Sequence, residues 1–99
     1  MPYKLIDPDE RLDYACDWSA FLADGGSPPD ALASSEWLIF PQDGSPPAPT
    51  LSGAQVSGAV AGVFVAGCAA GRTYRLTNRV TTAQGRAADR SFTLLCRNR

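Results

Sequence analysis

The feature that most constrains this chain is an alternation of period two. In TYRLTNRVTT, Tyr74, Leu76, Asn78 and Val80 share one side, and Thr73, Arg75, Thr77, Arg79 and Thr81 share the other. Successive side chains point to opposite faces in an extended strand, so this segment reads as a strand with one buried and one solvated face. Its β-branched residues suit that surface. The pattern recurs in RLDYACDW, where Leu12, Tyr14, Cys16 and Trp18 alternate with Arg11, Asp13, Ala15 and Asp17. It recurs again in DRSFTLLCR, where Phe92, Leu94 and Cys96 face inward and Ser91, Thr93 and Leu95 face the other surface. No segment carries a sustained helical stripe; residues 17–23 suffice for one turn.

Between these strands the chain is punctuated by breakers. SAFLADGGSPPD reads as a loop, with Gly25, Gly26, Pro28 and Pro29 as its turn residues. SSEWLIF (residues 34–40) reads as a strand with Trp37 and Ile39 on one face and Leu38 and Phe40 on the other. Residues 41–52 form a proline-rich loop, because proline lacks the N–H a central ladder needs. LSGAQVSGAV and AGVFVAGCA (residues 51–69) hold one or two short strands, with Val63 and Val65 facing one way and Phe64 the other; a turn spans 67–71. Ala83, Gln84, Gly85 and Arg86 turn the penultimate strand back on itself. The expectation is all-β, a sandwich of about six to seven short antiparallel strands at the spacing such folds show. With 99 residues, one domain spanning 1–99 is expected.

Composition excludes several functions. There is no histidine, which removes the commonest general base and metal ligand. The net charge of −1 argues against a dedicated nucleic-acid binder or a polybasic membrane anchor. The uncharged stretch over residues 56–71 is too rich in glycine and alanine for a membrane span, and no basic start with an apolar core announces a signal peptide. Asp7, Asp9, Glu10 and Asp13 lie close together, but their spacing matches no calcium loop, and paired-carboxylate hydrolysis needs a cleft. No catalytic residue, metal ligand set or cofactor is expected. The odd set of cysteines, Cys16, Cys68 and Cys96, allows at most one disulfide. The reading taken is three reduced, core-filling thiols, with Cys68, beside a turn, the most exposed.

Charge is unevenly placed. Residues 1–50 carry two basic and nine acidic groups, net −7, and residues 51–99 carry seven arginines against Asp89, net +6. Either the two halves neutralise each other through cross-strand pairs within one chain, or they attract between copies. Arg75, Arg79 and Arg86 of the basic hairpin are candidates for a solvated face or an ion-paired subunit contact. Phe21 and Leu22, just past a strand end, are candidates for an exposed apolar contact. Tyr3, Leu5 and Ile6, within a possible N-terminal arm over residues 1–8, either add a strand to a neighbouring copy or form the chain's own first strand. Trp18 and Trp37 fall among apolar alternations and read as core. Asn78, if buried, must have its amide hydrogen-bonded.

The start GRTY at residues 71–74, the strand TYRLTNRVTT, the AQGR turn and the final SFTLLCR resemble the last two strands of immunoglobulin-like modules. With the opening LIDPDERLDYACDWSAFL and the segment SSEWLIF, the chain looks like the small Ig-like structural proteins of tailed bacteriophages, of the fibre–tail adaptor or virion structural type. The sequence departs from that family in its proline-rich loop after Phe40 and in the small residues around Val63 to Cys68. The resemblance implies an Ig-like β-sandwich without catalytic residues. It also implies a virion component made in the host bacterial cytoplasm, assembling in multiple copies in the neck, tail or capsid surface. Its partners would be portal, neck, tail or capsid proteins and other copies of itself, with no nucleic acid or membrane. The alternative is a carbohydrate- or peptide-binding sandwich, which requires accessible aromatic rings.

Overall fold

The computed structural model describes residues 3–26, 29–42 and 49–97. The alternating segments become strands: β1 (Tyr3–Ile6), β2 (Arg11–Asp17), β3 (Leu32–Pro41), β4 (Thr50–Ser57), β5 (Val60–Ala66), β6 (Thr73–Thr82) and β7 (Ala87–Cys96). One short helix, α1 (Ser19–Ala23), follows β2. The strands form two sheets, one in the order β1-β7-β6-β3 and the other β2-β5-β4. Neighbours run antiparallel except β1, which lies parallel to β7.

The two sheets share one core. Tyr14, Cys16, Ala61, Val63 and Val65 come from the three-stranded sheet; Ile6, Trp37, Tyr74, Leu76, Val80, Leu94 and Cys96 come from the four-stranded one. These are the inward sides of the alternations, so the period-two reading of β2, β6 and β7 holds, as does the core placement of Trp18 and Trp37. The residues of 51–66 split into two strands joined by Gly58 and Ala59. Gly58 has φ +62°, the positive φ a two-residue hairpin demands at its first position.

The ladder also enters the stretch expected to be loop. Pro41 pairs with Tyr74 at the end of edge strand β3, where its missing N–H costs nothing, and the Gln42 N–H continues the ladder to the Thr73 carbonyl. Thr50 opens β4. Residues 43–48 of the expected loop lie outside the described residues.

The cysteine reading is corrected. Cys68 and Cys96 form a disulfide, and Cys16 stays free and buried. The turn after β5 doubles back onto the end of β7. The Gly71 N–H donates to the Cys96 carbonyl at 2.8 Å and the Cys96 N–H to the Arg72 carbonyl at 2.9 Å. That docking sets the two Cα atoms 6.0 Å apart, within bridging range. Cys68 is therefore buried rather than the exposed thiol the turn suggested. Burial pushes the Cys16 thiol above its ordinary pKa, against the opposing pull of Arg90 and Lys4. Among the described residues, no helix is long and apolar enough to cross a membrane.

Candidate protein–protein interface

The outer face of the four-stranded sheet follows from register. Directly paired residues share a face, so Glu36, Arg79 and Asp89 make one row; Leu38, Thr77 and Ser91 the next; Phe40, Arg75 and Thr93 a third; and Thr73, Leu95 and Leu5 a fourth. One end of this face is charged and self-satisfied. Arg79 Nε meets Asp89 Oδ1 at 3.0 Å, and its Nη1 lies 3.9 Å from Glu36 Oε1. Asp89, then Glu36, hold the Arg79 guanidinium above its ordinary pKa. Both pairs are solvated, so they add little stability and serve mainly to fix the side chains.

The rest of the face is apolar around one cation. Phe40 is 54% exposed and Leu5 42%, high values for side chains this large. Arg75 stands beside Phe40, and a shallow groove of about 570 Å³ opens between Phe40, Pro41, Gln42, Arg75, Ser91 and Thr93. Among the described residues Arg75 has no ion-pair partner.

Of the residues singled out in sequence, Leu5, Arg75 and Arg79 meet on this face. Tyr3 joins the same sheet, its backbone in register with Thr93. The N-terminal strand pairs with β7 of its own chain, parallel, over Tyr3–Ile6. Ile6 is turned inward and fully buried beneath it.

Phe21, Leu22 and Arg86 lie elsewhere. Leu22 is buried, contrary to the exposed contact expected of it, because α1 forms where a loop was expected to begin and holds Leu22 one helical turn after Trp18, on the same side; its N–H bonds the Trp18 carbonyl at 2.9 Å. Phe21 is half-buried, edge-on to Trp18 at 5.5 Å and stacked under Arg86 at 4.2 Å. Arg86 Nε reaches Asp30 Oδ2 at 3.1 Å and its Nη2 donates to the Phe21 carbonyl at 2.8 Å. Asp30 also accepts the N–H groups of Ala31 and Gln84. Burial raises its carboxyl pKa, but bonds from Thr82, Ala31, Arg86 and Gln84 outweigh that and leave it below the ordinary range. Arg86 is thus a clamp on the loop before β3. The acidic cluster of the first turn is similarly occupied: Glu10 Oε1 accepts the Asp7 N–H at 2.8 Å and Asp7 Oδ1 the Asp9 N–H at 2.9 Å.

Neither tryptophan offers an open ring. Trp18 donates Nε1–H to Asn78 Oδ1 at 2.8 Å, and Arg90 stacks 4.3 Å over its indole; Trp37 lies 6.3 Å from Phe92. Asn78 is fully buried and hydrogen-bonded, as its inward position required.

The outer face of the three-stranded sheet carries a ring and a cation stacked together. Phe64 carries Arg11 at 3.9 Å and lies 3.0 Å from where a Cβ on Gly53 would stand. Beside this stack a hollow of about 150 Å³ is lined by Asp13, Ala15, Gly53, Ser57, Val60 and Gly62. Sequence reasoning had separated Leu38, Phe40 and Leu95 from the core side but did not single them out. The signal was their parity opposite Trp37 and Leu94.

The family model described as podophage GP4 fiber-tail adaptor protein gp77 matches residues 7–95 of the chain. No curated protein matches it.

Proposed function

The chain belongs to the podophage GP4 fiber-tail adaptor protein family, and on that footing we propose that it is a non-enzymatic connector seated in multiple copies between the tail and the fibres of a phage particle. The family match over residues 7–95 carries the reading. The structure supports it in kind: the four-stranded sheet presents an outer face of Phe40, Leu38, Leu5 and Leu95 around Arg75, a mixture suited to protein contacts.

We read the fold as one immunoglobulin-like domain. With β2 to β7 taken in order as strands B to G, the sheets are B-E-D and C-F-G, the arrangement of that sandwich, with the first strand transferred to the edge of G. Trp37 occupies the buried tryptophan position on strand C, and the Trp18–Asn78 hydrogen bond ties the end of B to F. We take the protein to be made in the host bacterial cytoplasm and to work in the released particle, where oxidising surroundings favour the Cys68–Cys96 bond.

The test is to delete the coding sequence from a phage that carries it and image the particles. Tails without fibres, restored by supplying the chain in trans, are expected. Particles that keep their fibres would refute the connector role.

A further inference from the structure

We propose that copies of this chain associate face to back: the outer face of the four-stranded sheet in one copy docks on the outer face of the three-stranded sheet in the next, with Phe40 entering the hollow beside Gly62 and Arg75 meeting Asp13. This deepens the multi-copy reading above by naming the two surfaces that touch.

Charge complementarity is the first argument. On β6 and β7, Arg79 is held by Asp89 and Glu36, and Arg90 stacks on Trp18 and donates to the Asp17 carbonyl. Arg75 is exposed and, among the described residues, has no such engagement. On the outward side of β2, Arg11 is stacked on Phe64, and Asp17 accepts from Ser19. Asp13 is exposed and likewise without a partner among the described residues. Among the described residues, one unmatched cation therefore stands on one outer face and one unmatched carboxylate on the opposite one. They derive from the basic and acidic halves of the same sequence.

Shape is the second argument. Phe40 and Arg75 are directly opposed across β3 and β6, so knob and cation are adjacent. Asp13 opposes Phe64, and Gly62 lies two residues along β5, so anion and hollow are also adjacent. Small side chains at Ala15, Gly53, Ser57 and Gly62 leave about 150 Å³ there, a space of the size that accepts a benzene ring. Extent is the third: the molecule measures 46 × 22 × 22 Å, so its broad faces are comparable to the roughly 800 Å² each partner contributes to a standard interface. The two surfaces are different and lie on opposite sides of the molecule, so the contact is heterologous and closes a ring or extends a stack.

Sedimentation of the intact chain over a concentration series reads this directly. The wild type is expected to rise in average mass with concentration. Arg75→Glu and Asp13→Arg should each weaken association about thirtyfold or more. An equimolar mixture of the two variants should recover it, because each then offers the charge the other lacks. Circular dichroism keeps the result interpretable, since both sites are exposed and the variants should fold as the wild type does. A chain that stays monomeric to about millimolar concentration overturns the proposal, as does association that neither substitution weakens. Loss in both variants without recovery in the mixture also overturns it, because Arg75 and Asp13 then do not meet each other across the contact. Fibre attachment is measured on particles, so the connector reading stands or falls separately.

Discussion

Asn78→Leu removes the amide that joins both sheets while keeping the branched shape and the number of side-chain heavy atoms. Asn78 Oδ1 accepts the Trp18 Nε1–H at 2.8 Å; its Nδ2 donates to Ser35 Oγ at 2.9 Å and to the Glu36 carbonyl at 3.1 Å. Leucine leaves the Trp18 N–H and the Glu36 carbonyl without that partner, while the half-buried Ser35 hydroxyl can turn to water. The orphaned, buried Trp18 N–H costs about 1–3 kcal/mol and the two bonds lost from Nδ2 about 1–3 kcal/mol more, about 2–6 kcal/mol together. Leucine's extra apolar burial returns about 1–2 kcal/mol. The net loss is about 3 kcal/mol, a fall in Tm of roughly 12–24 °C for a domain of this size. The fold already carries one buried N–H without an acceptor, on Trp37 Nε1, so a second is a cost rather than a bar to folding. Urea titration followed by tryptophan fluorescence measures it: the midpoint should drop with the slope unchanged. A companion, Asn78→Asp, sharpens the logic. Burial raises the new carboxyl's pKa above its unfolded value near 3.9. Its charged form cannot donate to Glu36, whereas its protonated form accepts and donates as the amide did. That variant should lose stability as pH rises above about 4 and regain it on acidification. If Asn78→Leu unfolds within about 0.5 kcal/mol of the wild type, or if Asn78→Asp is indifferent to pH, the amide is not the pin described.

The disulfide joins residues 28 apart, for which the chain-entropy model gives about 3.5 kcal/mol; adding a reductant should lower stability by that order, Cys16→Ser should leave the effect intact, and unreduced denatured protein should titrate a single thiol. Asp30 has a depressed folded pKa, so its contribution is present above the unfolded value near 3.9 and drains as pH falls through the folded one; Asp30→Asn should make the acid limb of a stability–pH curve shallower. Gly53→Ala meets a backbone at φ +60° and Phe64 Cδ2 at 3.0 Å, and should cost about 1–2 kcal/mol in denaturant midpoint. Gly62→Ala, whose Cβ would touch the Tyr14 carbonyl at an ordinary 3.6 Å, is its control and should stay within about 0.5 kcal/mol.

What was legible in the sequence was whatever a single strand decides by itself. Tyr74, Leu76, Asn78 and Val80 declare the buried side of β6 because alternation needs no knowledge of the partner strand. What escaped was decided by distant chain. Cys68 pairs with Cys96 only because the turn after β5 docks on the end of β7. Arg86 looked like an exposed turn residue, yet its partner Asp30 lies 56 positions earlier. Leu22 was misplaced for a local reason: the segment after Trp18 reads as the start of a loop, and the single helical turn that forms there instead holds Leu22 on the Trp18 side, four residues on. At the candidate interface the parity of Leu5, Leu38, Phe40, Arg75 and Leu95 was readable strand by strand. That they form one surface required the order β1-β7-β6-β3.

That order also bears on how a protein of this shape meets its neighbours. A sheet can bind by extending its edge or by using its face, and here the edges are blunted. β1 offers only Tyr3–Ile6; β2 is regular but carries exposed charges at Arg11, Asp13 and Asp17; β3 carries an irregularity between Leu32 and Ser34 and ends in Pro41; β4 is broken between Ser52 and Gln55 around Gly53. Short, charged, kinked or proline-ended edges resist strand addition. The faces remain. An outer face carrying only Arg75, Thr77, Ser91 and Thr93 would be ordinary solvated surface, and Arg75 would be best hydrated. Phe40, Leu38, Leu5 and Leu95 alter that by supplying apolar area which a partner can dehydrate, and dehydration strengthens an Arg–carboxylate pair formed in its midst. The two features therefore act together. Phe40→Ser should weaken association even though it changes no charge, and Arg75→Lys should weaken it even though it keeps one, because lysine forfeits the planar fork that grips a carboxylate. A series in which only net charge matters would mean that the contact is long-range attraction between acidic and basic halves, without the fitted surface described.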